Sequence, residues 1–214
     1  VSKRGLLIFD LDGTLFRADT VTVPAVQRNF RAQGLPLPTA DEICAFFGKP
    51  NSAFHAWIRA QCPPQRADAL VAAIARGELA LVSETGQLYP RVRETLATLR
   101  ASVAQMAICT NGPQDYVERV LTTHALGAFF DAVRYRQSEQ DHKPLMVREL
   151  LARLHSRPAI VIGDRHDDVE AAHHNGLYAI AATYGYGAPH ELQPADAAAT
   201  SPADLPALVR SLLG

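Results

Sequence analysis

The 214-residue chain is predicted to be an α/β protein: a Rossmann-like, doubly wound parallel sheet with a four-helix domain inserted near its start. Three observations predict this. The apolar run Leu6 to Phe9 stops abruptly at two aspartates, short apolar strands alternate with helical stripes after residue 88, and residues 17–87 carry helical patterns only. A strand apolar on both faces belongs inside a parallel sheet, and strand–helix alternation covers such a sheet on both sides. The core is therefore expected to comprise residues 1–16 and 88–214, and the inserted cap residues 17–87.

Each element has its own warrant. In the insertion, Pro24 is expected to open a helix carrying Val23, Val26 and Phe30, with Gly34 at its end. Thr39 and Glu42 form a capping box for a helix through Phe47, Asn51 is placed to cap a third with Phe54, Trp57 and Ile58, and Ala67 to Val82 supplies a fourth. Beyond residue 88, Val92, Leu96 and Leu99 mark a helical stripe, and Gln105 to Cys109 form a strand ending at Thr110 and Asn111. Gly112 and Pro113 open a helix with Val117, Val120 and Leu121 inward. Ala132 to Tyr135 is a strand, Val147, Leu150, Leu151 and Leu154 a stripe, and Ala159 to Ile162 a strand running into GDRHDD. Val169 to Asn175 is a short helix stopped at Gly176, and Tyr178 to Thr183 a strand. The last helix begins at SPAD, with Ser201 as N-cap, Pro202 in the first turn and Asp204 favourable to the dipole. No internal repeat or low-complexity tract is found; the alanine-rich piece Ala195 to Ala203 is too short and too punctuated by Pro to count as one.

Composition narrows the function. Hydrophobic residues make up 48%, charged residues 20% and the formal net charge is −1, which is a globular profile. No basic stripe marks a nucleic-acid binder, no apolar run approaches a membrane span, and residues 1–5 lead into the first strand without a signal-peptide core. A cytoplasmic protein, monomeric or a small homo-oligomer, is expected. Cys44, Cys62 and Cys109 form no CxxC pair, and His173 and His174 point about 100° apart on a helix, so neither a redox or zinc site nor a histidine metal site is expected.

The polar residues at the strand ends carry the chemistry. Asp10 and Asp12 sit where open α/β sheets bind ligands, outside the carboxyl ends of strands, although Asp10 to Thr14 also reads as an ordinary polar turn. Thr110 and Asn111 follow another strand, Lys143 with Pro144 precedes a helix, and Asp164 and Asp168 follow a third strand. Together they outline one pocket. Several carboxylates at one edge would raise each other's pKa unless a cation lay among them, and a hard divalent ion such as Mg²⁺ suits oxygen ligands.

These motifs resemble the haloacid dehalogenase superfamily, which is mostly phosphatases. DLDGT at 10–14 is similar to its first motif, CTNGP at 109–113 to its second, Lys143 of HKP to its third and GDRHDD at 163–168 to its fourth, in the family's order. The resemblance implies an Mg²⁺-dependent phosphatase acting on a small phosphorylated metabolite through an aspartyl phosphate. Asp10 would be the nucleophile and Asp12 the acid and base, Thr110, Asn111 and Lys143 would hold the phosphate, and Asp10, Asp12, Asp164 and Asp168 would form the metal site. Asp168 serves either as ligand or as holder of Lys143; Asp167 reads as a helix-start charge. The presence of Asp12 disfavours dehalogenation, because a halide leaving group needs no proton.

The insertion resembles the superfamily's first-type cap, and Gly48, Lys49 and Pro50 fall where such caps carry a substrate-contacting loop. Lys49 is either an anion contact or a solvated helix-end charge. LYPRVRETL and TYGYG look like phosphoglycolate-phosphatase-like members. Arg17 and Ala18, Arg91 and Arg165 depart from that pattern, which leaves phosphoglycolate itself open. A mutase similar to β-phosphoglucomutase is the alternative, although Thr22 and Asn51 stand where that family uses a cap histidine and arginine. A binding protein that has kept the fold without the chemistry is a third.

Overall fold

The computed structural model describes residues 3–214; Val1 and Ser2, which the sequence reading assigned to the core, lie outside the described residues. The chain begins with β1 (Arg4–Phe9), which becomes the middle of a six-stranded sheet. Its partners are β4 (Val103–Thr110), β5 (Ala132–Tyr135), β6 (Ala159–Gly163), β7 (Tyr178–Ala182) and β8 (Ala197–Ala199), in the order β5-β4-β1-β6-β7-β8, all parallel. The chain builds outward from β1 first on the β4 side and then on the β6 side. The crevice at the carboxyl end of β1 is thus the topological switch point, where ligands bind in open α/β sheets.

Alternation along β1 explains the layering. Leu7 and Phe9 face one side with Met106, Ile108, Ile160 and Ile162; Leu6 and Ile8 face the other with Ala107, Cys109, Val161 and Ala181. The first face is covered by α5 (Val92–Ser102) and α10 (Leu205–Leu213), the second by α7 (Lys143–Leu154) and α8 (His166–His174). α6 (Gln114–Thr123) and the short α9 (Pro189–Leu192) complete the core. No helix is long and apolar enough to cross a membrane among the described residues, and all three cysteines are free thiols.

The insertion contains α1 (Asp19–Ala32), α2 (Ala40–Cys44), α3 (Asn51–Ala60) and α4 (Pro64–Glu84). Val26, Phe30, Ile43, Ile58, Leu70 and Ile74 bury between these helices, and Trp57 stacks on both Phe30 and Phe54 at 5.9 Å. The strands that lead in and out, β2 (Phe16–Arg17) and β3 (Gln87–Leu88), pair as a two-residue antiparallel ribbon.

Several elements differ from the sequence reading. Pro24 lies inside α1, which begins at Asp19. Its missing N–H would leave Thr20 O without an intrahelical partner, and Thr85 Oγ1 donates to that carbonyl at 3.1 Å. Pro50, extended at ψ 142°, is the boundary residue of α3, so Asn51 is its first residue and not its cap. α2 stops at Cys44, three residues short of the expected end, while its Thr39–Glu42 capping box forms as expected. α8 starts at His166 and not Val169, because the Asp168 carboxylate caps it by accepting from Arg165 N at 3.1 Å. The unassigned alanine segment supplies β8: alanine has little strand preference of its own, and pairing with β7 decides the matter. Arg91, a residue with a Cβ, adopts φ 65°, the left-handed region.

Candidate active site

β1 delivers Asp10 to the switch point and locks it there: Asp10 N donates to Ile162 O on β6 at 2.8 Å. The chain must then turn sharply. Gly13 adopts φ 84° and donates to Phe16 O, and a Cβ at this glycine would collide with the Asp164 carboxylate. β6 ends at Gly163, whose missing Cβ leaves room for the Asp168 carboxylate, and Asp164 follows. Asp168 reaches the same point from the first turn of α8, and Lys143 from the first residue of α7.

These four side chains are buried, at most 3% exposed, and form one charge cluster. Lys143 Nζ lies 2.5 Å from Asp168 Oδ1, 3.2 Å from Asp10 Oδ1 and 3.7 Å from Asp167 Oδ1. Burial works against the ammonium charge, yet Asp10, Asp167 and Asp168 hold the Lys143 pKa well above its ordinary value. Burial raises Asp10 against the opposing pull of Lys143, and burial with Asp10 nearby pushes Asp164 up to about 7. One lysine does not balance this many acids.

A cation fits the imbalance. Asp10, Asp164 and Asp168 each offer a carboxylate oxygen within 4.8 Å of the others. Asp164 Oδ2 accepts from Tyr186 N at 2.7 Å, but its buried Oδ1 has no hydrogen-bond partner among the described residues. An orphaned anionic oxygen beside two further carboxylates is a donor set for a hard divalent ion. The fourth expected ligand side chain, Asp12, lies outside that trio: its Oδ1 accepts from the Tyr116 hydroxyl at 2.9 Å, because the tight turn at Gly13 aims it toward α6. Burial, with Asp10 nearby, pushes Asp12 up to about 8. Its surroundings therefore favour the protonated carboxyl group.

The remaining expected residues surround the same point. Thr110 ends β4, buried, with its hydroxyl accepting from Gly112 N at 3.2 Å. Asn111 Nδ2 donates to Gly48 O in the cap at 2.8 Å and to Asp167 Oδ2 at 2.9 Å, so it ties the insertion to the core. Asp167 is thus more than a helix-start charge. Lys49 is exposed on the lining of the cavity, its Nζ 5.2 Å from the Phe46 ring centroid. A cavity of about 270 Å³ lies between Asp10, Asp12 and Thr110 on the core side and α1, α3, α4 and the Phe46–Lys49 turn on the cap side.

Tyr116 and Glu78 are cavity residues that the sequence does not single out. Tyr116 reads as one more inward position of α6, and only the fold turns its hydroxyl onto Asp12. Glu78 had a signal: it continues the row Leu70, Ile74, Val82 at four-residue spacing, the apolar face of α4, where a carboxyl group is out of place.

Fold and site define an α/β protein with an aspartate-centred, cation-ready pocket under a helical insertion. The chain belongs to the haloacid dehalogenase-like hydrolase family, whose model matches residues 7–182. It is 29% identical over 213 residues to a phosphoglycolate phosphatase of Vibrio vulnificus (strain YJ016), covering 94% of this chain and 93% of that one. A haloacid dehalogenase-like hydrolase structure from Streptococcus pneumoniae superposes with TM-score 0.82 at 25% identity, covering 95% and 97% of the two chains. A predicted phosphoglycolate phosphatase from Haemophilus somnus 129PT gives TM-score 0.87 at 23% identity, covering 98% and 99%.

Proposed function

We propose that the protein is an Mg²⁺-dependent phosphatase that hydrolyses a small phosphomonoester through a phosphorylated Asp10. The observation that carries this reading is the pairing of two aspartates with different partners: Asp10 beside Lys143 at 3.2 Å, and Asp12 two residues away, hydrogen-bonded by Tyr116, raised to about 8 and facing the cavity. A carboxylate paired with a buried ammonium group suits a nucleophile, and a neighbouring carboxyl group that favours its protonated form suits an acid.

Asp10 attacks phosphorus and the ester P–O bond breaks. The departing alkoxide takes the Asp12 proton, leaving an alcohol and an acyl phosphate on Asp10. Asp12, now a carboxylate, draws a proton from water as that water attacks the acyl phosphate, releasing inorganic phosphate and restoring both groups. Lys143 and the Thr110 hydroxyl accompany the phosphoryl oxygens, which carry the spread charge of the transition state. Asp10, Asp164 and Asp168 would hold Mg²⁺, which supplies charge neutralisation for the phosphoryl group. Asp168 does double duty, since it also orients Lys143. The cap, tied down by Asn111 and Gly48, excludes bulk water and restricts the substrate to small molecules. The name of the Vibrio relative supports phosphomonoester chemistry. In the mutase alternative, Thr22 would stand in a catalytic cap position, but its hydroxyl is committed to Glu78 at 2.7 Å.

Phosphate release from a panel of small phosphomonoesters, with and without Mg²⁺, tests the reading. Mg²⁺-dependent release that disappears in Asp10→Asn is expected. Turnover by Asp10→Asn within tenfold of the native protein would remove Asp10 as nucleophile, and silence across the panel would remove the phosphatase.

A further inference from the structure

Glu78 has no part in the mechanism above, yet it is the acid that the cap contributes to the cavity over Asp10. It projects from the middle of α4, on the face that otherwise buries Leu70, Ile74 and Val82. Thr22, buried in α1, donates to Glu78 Oε1 at 2.7 Å and so fixes the carboxyl group in one orientation. Oε2 accepts no hydrogen bond from the described residues and borders the cavity. Other donors do not serve it. The Tyr116 hydroxyl is given to Asp12, the cavity's cation Lys49 is exposed and stacked over Phe46, and His55 is kept neutral by burial and by Arg59. On the α6 side stands a further carboxylate, Asp115. The cavity wall around Glu78 is therefore acceptor-rich, bordered by the apolar surfaces of Phe47, Phe54 and Leu79.

With the phosphate at Asp10 and Lys143, as the phosphatase reading requires, the rest of the substrate must extend into this wall. We propose that Glu78 selects the leaving group: it accepts a hydrogen bond from a hydroxyl or protonated amine on the alcohol being released, and it rejects a carboxylate there. Burial pushes Glu78 up to about 7, which marks how poorly the cavity compensates its charge before a donor arrives. The preferred substrates are then amino-alcohol or polyol monophosphates, and phosphoglycolate, whose leaving group ends in a carboxylate, is a poor one. A site built to accept a donor discriminates strongly against a ligand that lacks it, because its buried acceptor is left unpaired.

The test compares kcat/KM for 2-aminoethyl phosphate, glycerol 3-phosphate and phosphoglycolate in the native protein and in Glu78→Gln, which keeps the shape and the Thr22 bond. The native protein is expected to favour one or both donor-bearing esters over phosphoglycolate by at least about tenfold, and Glu78→Gln to lose most of that ratio. A fall confined to the amine identifies an ammonium ligand; a fall shared by glycerol 3-phosphate identifies a hydroxyl. Phosphoglycolate as the best native substrate, a ratio untouched by Glu78→Gln, or a ratio that collapses only in Lys49→Ala would each overturn the proposal. Calorimetric titration of Asp10→Asn with the same three compounds reads the discrimination without turnover and with Glu78 intact. No phosphate release but a retained binding preference for the donor-bearing esters sinks the phosphatase and keeps the role of Glu78; turnover with a binding preference for phosphoglycolate does the reverse.

Discussion

Replacing Lys143 with methionine isolates what the buried cation does. Its side chain is 1% exposed and its Nζ sits 3.2 Å from Asp10 and 2.5 Å from Asp168. At an effective dielectric constant of about 20 these attractions amount to about 5 and about 7 kcal/mol. Most of that sum is spent on desolvating the three groups, and removing one partner of a buried ion pair leaves a net loss of about 3–5 kcal/mol, because the other charges stay buried and unpaired. For a chain of this size the loss lowers Tm by roughly 6–20 °C. The pH dependence has a definite sign. Asp10, Asp164 and Asp168 have pKa values raised in the folded protein, so their protonation favours the folded state below the ordinary carboxylate range, and that contribution disappears as pH rises through the raised values. Without Lys143 the raised values climb further, and the deficit of Lys143→Met against the native protein is smaller at pH 5.5 than at pH 8. Urea unfolding followed by circular dichroism in EDTA measures both quantities. A deficit below about 1 kcal/mol at pH 8, or one that grows on acidification, would refute the charge-cluster account.

Other consequences follow from the same geometry. Mg²⁺ should raise the Tm of the native protein, more at pH 8 than at pH 5.5 since it competes with protons for the same carboxylates; equal shifts at both pH values, measured by scanning calorimetry, would place the ion elsewhere. Tyr116→Phe removes the hydrogen bond that lowers the Asp12 pKa, so the basic limb of the pH profile of kcat/KM should move to higher pH while kcat falls by about tenfold; an unmoved limb would deny the Tyr116–Asp12 coupling. Arg91→Gly should stabilise the fold by about 0.5–1 kcal/mol, because φ 65° strains any residue with a Cβ and the Arg91–Glu94 ion pair it forfeits is exposed; a lowered urea midpoint would contradict that.

The sequence by itself determined the central sheet and the four-helix insertion. Strands β1, β4, β6 and β7 are short apolar runs between helical stripes, and that pattern follows directly from burial on both faces. It also marked Asp10, Asp12, Thr110 and Asp164 as residues at or just beyond strand ends, since a polar residue after an apolar run stands out locally, and Lys143 and Asp168 by the motifs that open the helices after two of the strands. What it left undecided depends on contacts between distant segments. β8 exists because β7 offers it an edge, and α1 tolerates Pro24 because Thr85, 61 residues away in the chain, donates to the orphaned carbonyl. Asp168, open in the sequence between ligand and lysine holder, faces both Lys143 and the other two acids. Asp167 reads as a helix-start charge in the sequence, yet Asn111 donates to it, and Tyr116 and Glu78 lie on the inward sides of α6 and α4 without any local sign of a shared cavity. Helical periodicity tells which side chains point inward; only the packing of α1, α4 and α6 over the end of β1 decides that these two point into a cavity lined with carboxyl groups instead of a hydrophobic core.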